Sequence, residues 1–165
     1  MSDRAEAERE ITAALHAYCR GIDRMDADLI RSAYHVDGTD EHGDHFRGSV
    51  ADYVGWVLEV LRTRFSSTMH TLSNITIEVD GDRAGVESYV VAHHVTADGS
   101  ALRVFGARYL DRFEHRPEAG WRIAHRTLVS EWQVEQQGAF VPIPGGEPAT
   151  RDRNDPSYPV LSSGT

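Results

Sequence analysis

The chain contains no lysine; all 17 of its basic residues are arginine. That excludes a Schiff base or a lysine general base from any mechanism. There is one cysteine, Cys19, so no internal disulfide can form, and a reducing, cytoplasmic setting is expected. Cys19 falls on the apolar face of the first helix and reads as a small buried hydrophobe rather than a reactive thiol. Basic runs are also missing, and the net charge of −9 argues against a nucleic-acid surface. No stretch approaches the ~20 apolar residues of a membrane helix. The opening Met1-Ser2-Asp3-Arg4-Ala5-Glu6 lacks the apolar core of a signal peptide. A Gly-x-Gly-x-x-Gly loop, a Gly-x-Ser-x-Gly elbow and a Cys-x-x-Cys pair are all absent, so nucleotide, serine-hydrolase and thiol-redox chemistries have no support.

What is present fits one domain of 165 residues. Ile11, Leu15, Tyr18, Cys19 and Ile22 recur at three- and four-residue steps, which predicts an amphipathic helix over about 4–23. Asp26 is placed to cap a short second helix from Ala27 to Tyr34. The polar stretch from His35 to Gly48 reads as a loop with room for a short strand. Ser49 then caps a third helix, with Asp52 at the third helical position and a stripe of Tyr53, Trp56, Val57, Val60, Leu61 and Phe65. From Ser66 onward the period changes to two, and turn signals at Asp80-Gly81-Asp82, Ala97-Asp98-Gly99-Ser100 and Glu118-Ala119-Gly120 divide the region into four long strands. The last of these runs from Trp121 to Val134. Three helices followed by an antiparallel meander is an α+β pattern. A strongly twisted sheet can curl round the helices into a cone whose open end is a pocket. Residues 1–135 are expected to form this domain. Residues 136–165 hold every proline but Pro117 and read as an irregular tail. Phe140, Val141, Ile143, Tyr158, Val160 and Leu161 are the tail's candidate anchors on a surface or a second copy.

The segments Tyr18-x4-Asp23-Arg24-x-Asp26, Tyr34-His35-x-Asp37-Gly38, Asp40-Glu41-His42-Gly43, Thr68-Met69-His70-x3-Asn74-Ile75, Asp80-Gly81-Asp82-Arg83-Ala84 and Gly120-Trp121-Arg122-Ile123-Ala124-His125-Arg126 follow one another in a characteristic order. In this order the chain resembles a SnoaL-like member of the nuclear transport factor 2-like superfamily. Within it, the chain is similar to hexachlorocyclohexane dehydrochlorinase and bile-acid 7-dehydratase, and more distantly to scytalone dehydratase. The resemblance implies a cone-shaped α+β barrel and an Asp–His dyad, with Asp23 ending the first helix and His70 opening the strand after the third. It carries Tyr18, five residues before Asp23, as a further catalytic contact of the dehydratase type. It also carries Arg126 as an anion contact late in the last strand. It implies no cofactor.

A carboxylate that orients an imidazole makes a general base near neutral pH. The expected function is therefore a cofactor-independent lyase or isomerase, dehydratase-like, acting on a small hydrophobic cyclic substrate. His70 would be the base and Asp23 its partner. Two other readings stay open: a non-catalytic small-molecule-binding protein, and a structural small subunit of an aromatic-ring dioxygenase. Asp40, Glu41, His42, Asp44 and His45 are metal-ligand types, but a zinc site needs ligands held by defined elements, and no metal site is expected here. His93 and His94 are adjacent on a strand and point to opposite faces, so one of them can line a pocket. Partners are expected to be the substrate and further copies of the chain, as a dimer or trimer, with neither nucleic acid nor membrane.

Overall fold

A computed structural model describes residues 4–162. Helix α1 (Arg4–Arg24) buries the expected stripe of Ile11, Leu15, Tyr18, Cys19 and Ile22. Met25, at φ 52°, turns the chain sharply into α2 (Ala27–Ser32). The Asp26 side chain caps α2 by accepting from the backbone N–H groups of Asp28 and Leu29. The second helix is two residues shorter than expected, because Ala33 caps it and Tyr34 starts a strand.

The stretch read as a loop is largely a hairpin, β1 (Tyr34–Glu41) and β2 (Arg47–Ser49). Its pattern runs against the usual alternation. Val36 is 93% exposed while Asp40 is fully buried. A strand whose inward side is polar carries no hydrophobic period to read. Ser49 caps α3 (Val50–Arg64) as expected, accepting from the Asp52 backbone N–H. Phe65 already belongs to β3 (Phe65–Asp80), which continues into β4 (Arg83–Thr96), β5 (Ala101–Arg116) and β6 (Gly120–Gln137).

The four long strands form the expected antiparallel meander, and the hairpin extends it to a six-stranded sheet in the order β2-β1-β6-β5-β4-β3. The β1–β6 pairing is parallel, so the sheet is mixed rather than purely antiparallel. The sheet curls around the helices without closing, a cone-like α+β architecture. Its inner face packs Val86, Val90, Tyr109, Phe113, Trp121 and Ile123 against the buried stripes of α1 and α3.

Two local devices set the position of the cone's contents. Asn74, at φ 47°, sits in a bulge of β3 that shifts the register between Ser73 and Thr76. Before it, Thr68, His70 and Leu72 turn inward; after it, Ile75, Ile77 and Val79 do. The second device is Gly21. A Cβ there would lie 2.7 Å from the backbone nitrogen of Ile30 and 2.8 Å from its Cγ1, so only glycine lets α2 pack this close to the end of α1.

Beyond β6 the chain is tied back. Gly138 and Phe140 donate to the carbonyls of Ser100 and Gly99. Further on, residues 150–158 cross α1 and α2 ahead of a short helix, α4 (Ser157–Ser162). The contacts there are polar. Arg24 holds Asp155 at 2.7 Å, Tyr158 donates to Asp26 at 2.7 Å, and Arg20 covers the Tyr158 ring. Val141, Ile143, Val160 and Leu161, expected as apolar anchors, are largely exposed. No helix among the described residues is long and apolar enough to cross a membrane.

Replacing Gly21 with Ala isolates the α1–α2 approach. Alanine gains about 1 kcal/mol of helix propensity, yet the added methyl must push α2 away. A net loss of ~1–3 kcal/mol is expected, in the range of other overpacked sites, read as a lower urea midpoint with an unchanged slope.

Candidate functional site

The end of α1 lies against the first half of β3, and one carboxylate joins them. Asp23 Oδ2 accepts the backbone N–H of His70 at 2.9 Å. Asp23 Oδ1 accepts the Thr68 hydroxyl at 3.0 Å and lies 2.7 Å from His70 Nδ1. A carboxylate accepts, so the ring donates through Nδ1, and Nε2 is the nitrogen left unengaged by Asp23. The two side chains are 13% and 8% exposed respectively. His70 does not open the strand; it sits five residues after its first residue, Phe65. A cleft of about 460 Å³ borders the pair, lined by His16, Cys19, Arg20, Arg24 and Leu72 among others. Burial pushes the Cys19 thiol up to about 12, so it offers no thiolate.

On its other side the His70 ring meets His94, edge to face, with centroids 5.2 Å apart. The register of β4 settles which of the adjacent histidines turns inward: His94 lies opposite Arg103 on the face that carries Ala92 and Val90. Phe65 and Phe105 flank it at 4.7 and 5.1 Å. Burial, and then the neighbouring His70, push the His94 imidazole down to about 3, so it stays neutral in the folded protein. Its buried Nδ1 has no hydrogen-bond partner. His93–His94 was a visible pair in the sequence, but only the strand register selects between them.

Tyr18 and Arg126 are brought to each other. Arg126 is fully buried, not a solvated strand residue. Its Nε and Nη2 each donate to a different oxygen of Asp111 at 2.7 Å, a bidentate fork across β5 and β6. The guanidinium lies over the rings of Tyr109 at 4.0 Å and Tyr18 at 4.2 Å. Burial opposes its charge, and Asp111 with the surrounding Tyr34 and Tyr18 more than offsets that, holding its pKa above the ordinary arginine value. The Tyr18 hydroxyl is hydrogen-bonded to that of Tyr53. Burial raises the pKa of both phenols well above the usual tyrosine range, so both are neutral. His42 stacks on Tyr53 at 5.1 Å and is hydrogen-bonded through Nδ1 to Asp40, which also accepts from Tyr34 at 2.6 Å. A second carboxylate–imidazole pair therefore sits in the stretch read as a loop. Elsewhere, His35 contacts the Glu114 carbonyl at 2.8 Å and His125 the Thr39 hydroxyl at 2.7 Å, both within the sheet framework. Among the described residues, no three His, Cys, Asp or Glu side chains gather as metal ligands do.

The model of the SnoaL-like domain family matches residues 3–127. No curated protein matches the chain in sequence. Similar solved structures include hexachlorocyclohexane dehydrochlorinase from Novosphingobium barchaimii, at 18% identity and a TM-score of 0.73 over 86% of this chain and 97% of that one. A candidate scytalone dehydratase from Novosphingobium aromaticivorans is 23% identical, with a TM-score of 0.69 over 85% of this chain and 95% of that one. A nuclear transport factor 2-like protein from Salmonella enterica is 19% identical, with a TM-score of 0.70 over 88% and 100%. These likenesses show the fold.

The neutral His94 has a measurable consequence. In the unfolded chain an imidazole titrates near 6.5, while in the fold it titrates at about 3. Between those values the unfolded state binds more protons, so this contribution is complete above about pH 6.5 and is lost as pH falls toward 3. Each pKa unit is worth about 1.4 kcal/mol, so His94→Phe should flatten the acid side of the stability curve. Urea midpoints of both proteins from pH 7 to 4 test this; parallel curves would refute it.

Proposed function

We propose a proton-abstracting enzyme, and the premise is that the chain belongs to the SnoaL-like domain family. Proteins of this fold include a candidate scytalone dehydratase and a dehydrochlorinase. The reading for this chain is a cofactor-independent lyase or isomerase acting on a small hydrophobic cyclic substrate. The observation that carries it is the orientation of His70 by Asp23, with both carboxylate oxygens engaged on one residue.

In this reading His70 Nε2 removes a proton from a carbon beside a carbonyl or beside the carbon that bears a leaving group. The C–H electron pair becomes an enolate or closes a carbon–carbon double bond as the leaving group departs. Asp23 stabilises the imidazolium and holds its tautomer. Such a base contributes about 10²–10⁴-fold, and the remainder comes from positioning and from stabilising the developing negative charge. His94, held neutral, does not compete for the proton and presents a hydrogen-bonding imidazole beside the reacting atoms. Tyr18 and Arg126 act in this scheme by fixing the buried cluster against which α1 packs. The reading includes self-association, supported by Met69, Tyr89, Trp132 and Val134 exposed on the outer sheet face; a monomeric mass by light scattering would remove that part.

The test is proton exchange in D₂O with a panel of cyclic ketones and hydroxylated rings. His70→Ala and Asp23→Asn should each slow exchange at least ~100-fold. Exchange that persists in His70→Ala overturns the reading. Binding of a panel member without exchange by the wild type would favour a ligand-binding protein instead.

A further inference from the structure

The tail brings one more cation to the Asp23–His70 site. Arg151 Nη1 donates to the carbonyl of Leu61 at 3.2 Å and to that of Phe65 at 2.6 Å. Those two carbonyls mark the end of α3 and the start of β3, and the Phe65 ring packs on His94, which in turn packs on His70. The Arg151 charge is felt at His94, and the Asp23 charge is felt at Arg151. Through Phe65 and His94 the side chain is joined to the proposed reacting groups, although it is 81 residues from His70 in sequence.

Anchoring through Nη1 leaves the other edge of the guanidinium free. Nε and Nη2 of Arg151 are both buried and neither has a hydrogen-bond partner. These two nitrogens form the side-on fork that matches the two oxygens of a planar oxyanion. The protein itself shows what this edge takes, since Arg126 grips the Asp111 carboxylate with the same two nitrogens. A buried donor pair left without a partner is a place where a ligand can supply hydrogen bonds that the protein itself does not make. Acidic side chains nearby are already engaged: Asp23 by Thr68 and His70, and Asp155 by Arg24, Thr150 and Ser157.

We propose that Arg151 is a specificity-determining residue that binds the carboxylate of the substrate through its Nε/Nη2 edge, making the ligands of this site hydrophobic ring carboxylates. This deepens the proton-abstraction reading and rests on it for the reaction, but not for the binding. A ligand reaches the fork by easing the tail outward, and the exposed stretch 141–149, which carries neither helix nor strand, supplies the slack. Residues 150–158 then re-dock on Arg24 and Asp26 through contacts that do not involve Arg151.

The test compares 1-naphthoate with 1-naphthamide, two probes of one shape that differ in charge. Calorimetric titration of the wild type should give at least ~10-fold tighter binding of the carboxylate, the scale of a charge-assisted hydrogen-bond pair. Arg151→Gln should abolish that preference, and Arg151→Lys should lose most of it, because lysine keeps the charge without the fork. His70→Ala should retain the preference in full, so failure of the base reading and failure of this one are told apart. Equal affinities in the wild type, no binding of naphthoate, or a preference that survives in Arg151→Gln or Arg151→Lys would each overturn the proposal. The last outcome would transfer the effect to Arg20 and Arg24 at the cleft.

Discussion

The carboxylate of Asp23 is the point on which this structure turns. It accepts from the His70 backbone, the His70 ring and the Thr68 hydroxyl, so a single side chain joins the end of α1 to the middle of the site strand. Hydrogen bonds to a charged acceptor contribute about 1.5–3 kcal/mol each. That is enough to fix where the first helix stops and how it meets the sheet. The Gly21–Ile30 contact, the Met25 turn and the Asp26 cap all lie within a few residues of it, and the docked tail closes over the same corner. Asp23 is thus both a helix-junction residue satisfying a backbone N–H and the partner of an imidazole. The two roles are carried by different oxygens.

The cluster around Arg126 is held by different means. There the core is not purely apolar: Arg126, Asp111, Asp40, Tyr18, Tyr34, Tyr53 and Tyr109 form a continuous polar and aromatic cluster. A buried ion pair is a poor source of net stability, but removing one partner typically costs ~3–5 kcal/mol because the other charge is stranded. Such a cluster demands one arrangement of α1, β1, β5 and β6. With that cluster locked, the framework can hold a neutral His94 against His70.

Much of this was legible in the sequence, for physical reasons that also explain the rest. The α1 stripe, the Ser49 cap and the four long strands follow from periodicity and capping chemistry, which are local. The hairpin β1–β2 escaped because its inward residue is Asp40 and its outward one is Val36, the reverse of a hydrophobic pattern. The inward direction of His70 depends on the Asn74 bulge; counted back from Ile75 and Ile77 without it, His70 would face outward. The burial of Arg126 depends on a cross-strand partner that no local window contains. The tail looked apolar-anchored and is held instead by arginines and aspartates, whose pairing is set only by the fold.

The position of β3 at the end of the sheet has a consequence for solubility. A terminal strand offers a row of free backbone groups to any other extended chain, and that is a common route to aggregation. Here α1 lies along that strand, and Asp23 takes the His70 N–H that an intruding strand would seek. The aspartate is therefore also an edge guard. Its loss would bare that N–H to other extended chains, whatever chemistry the pair performs.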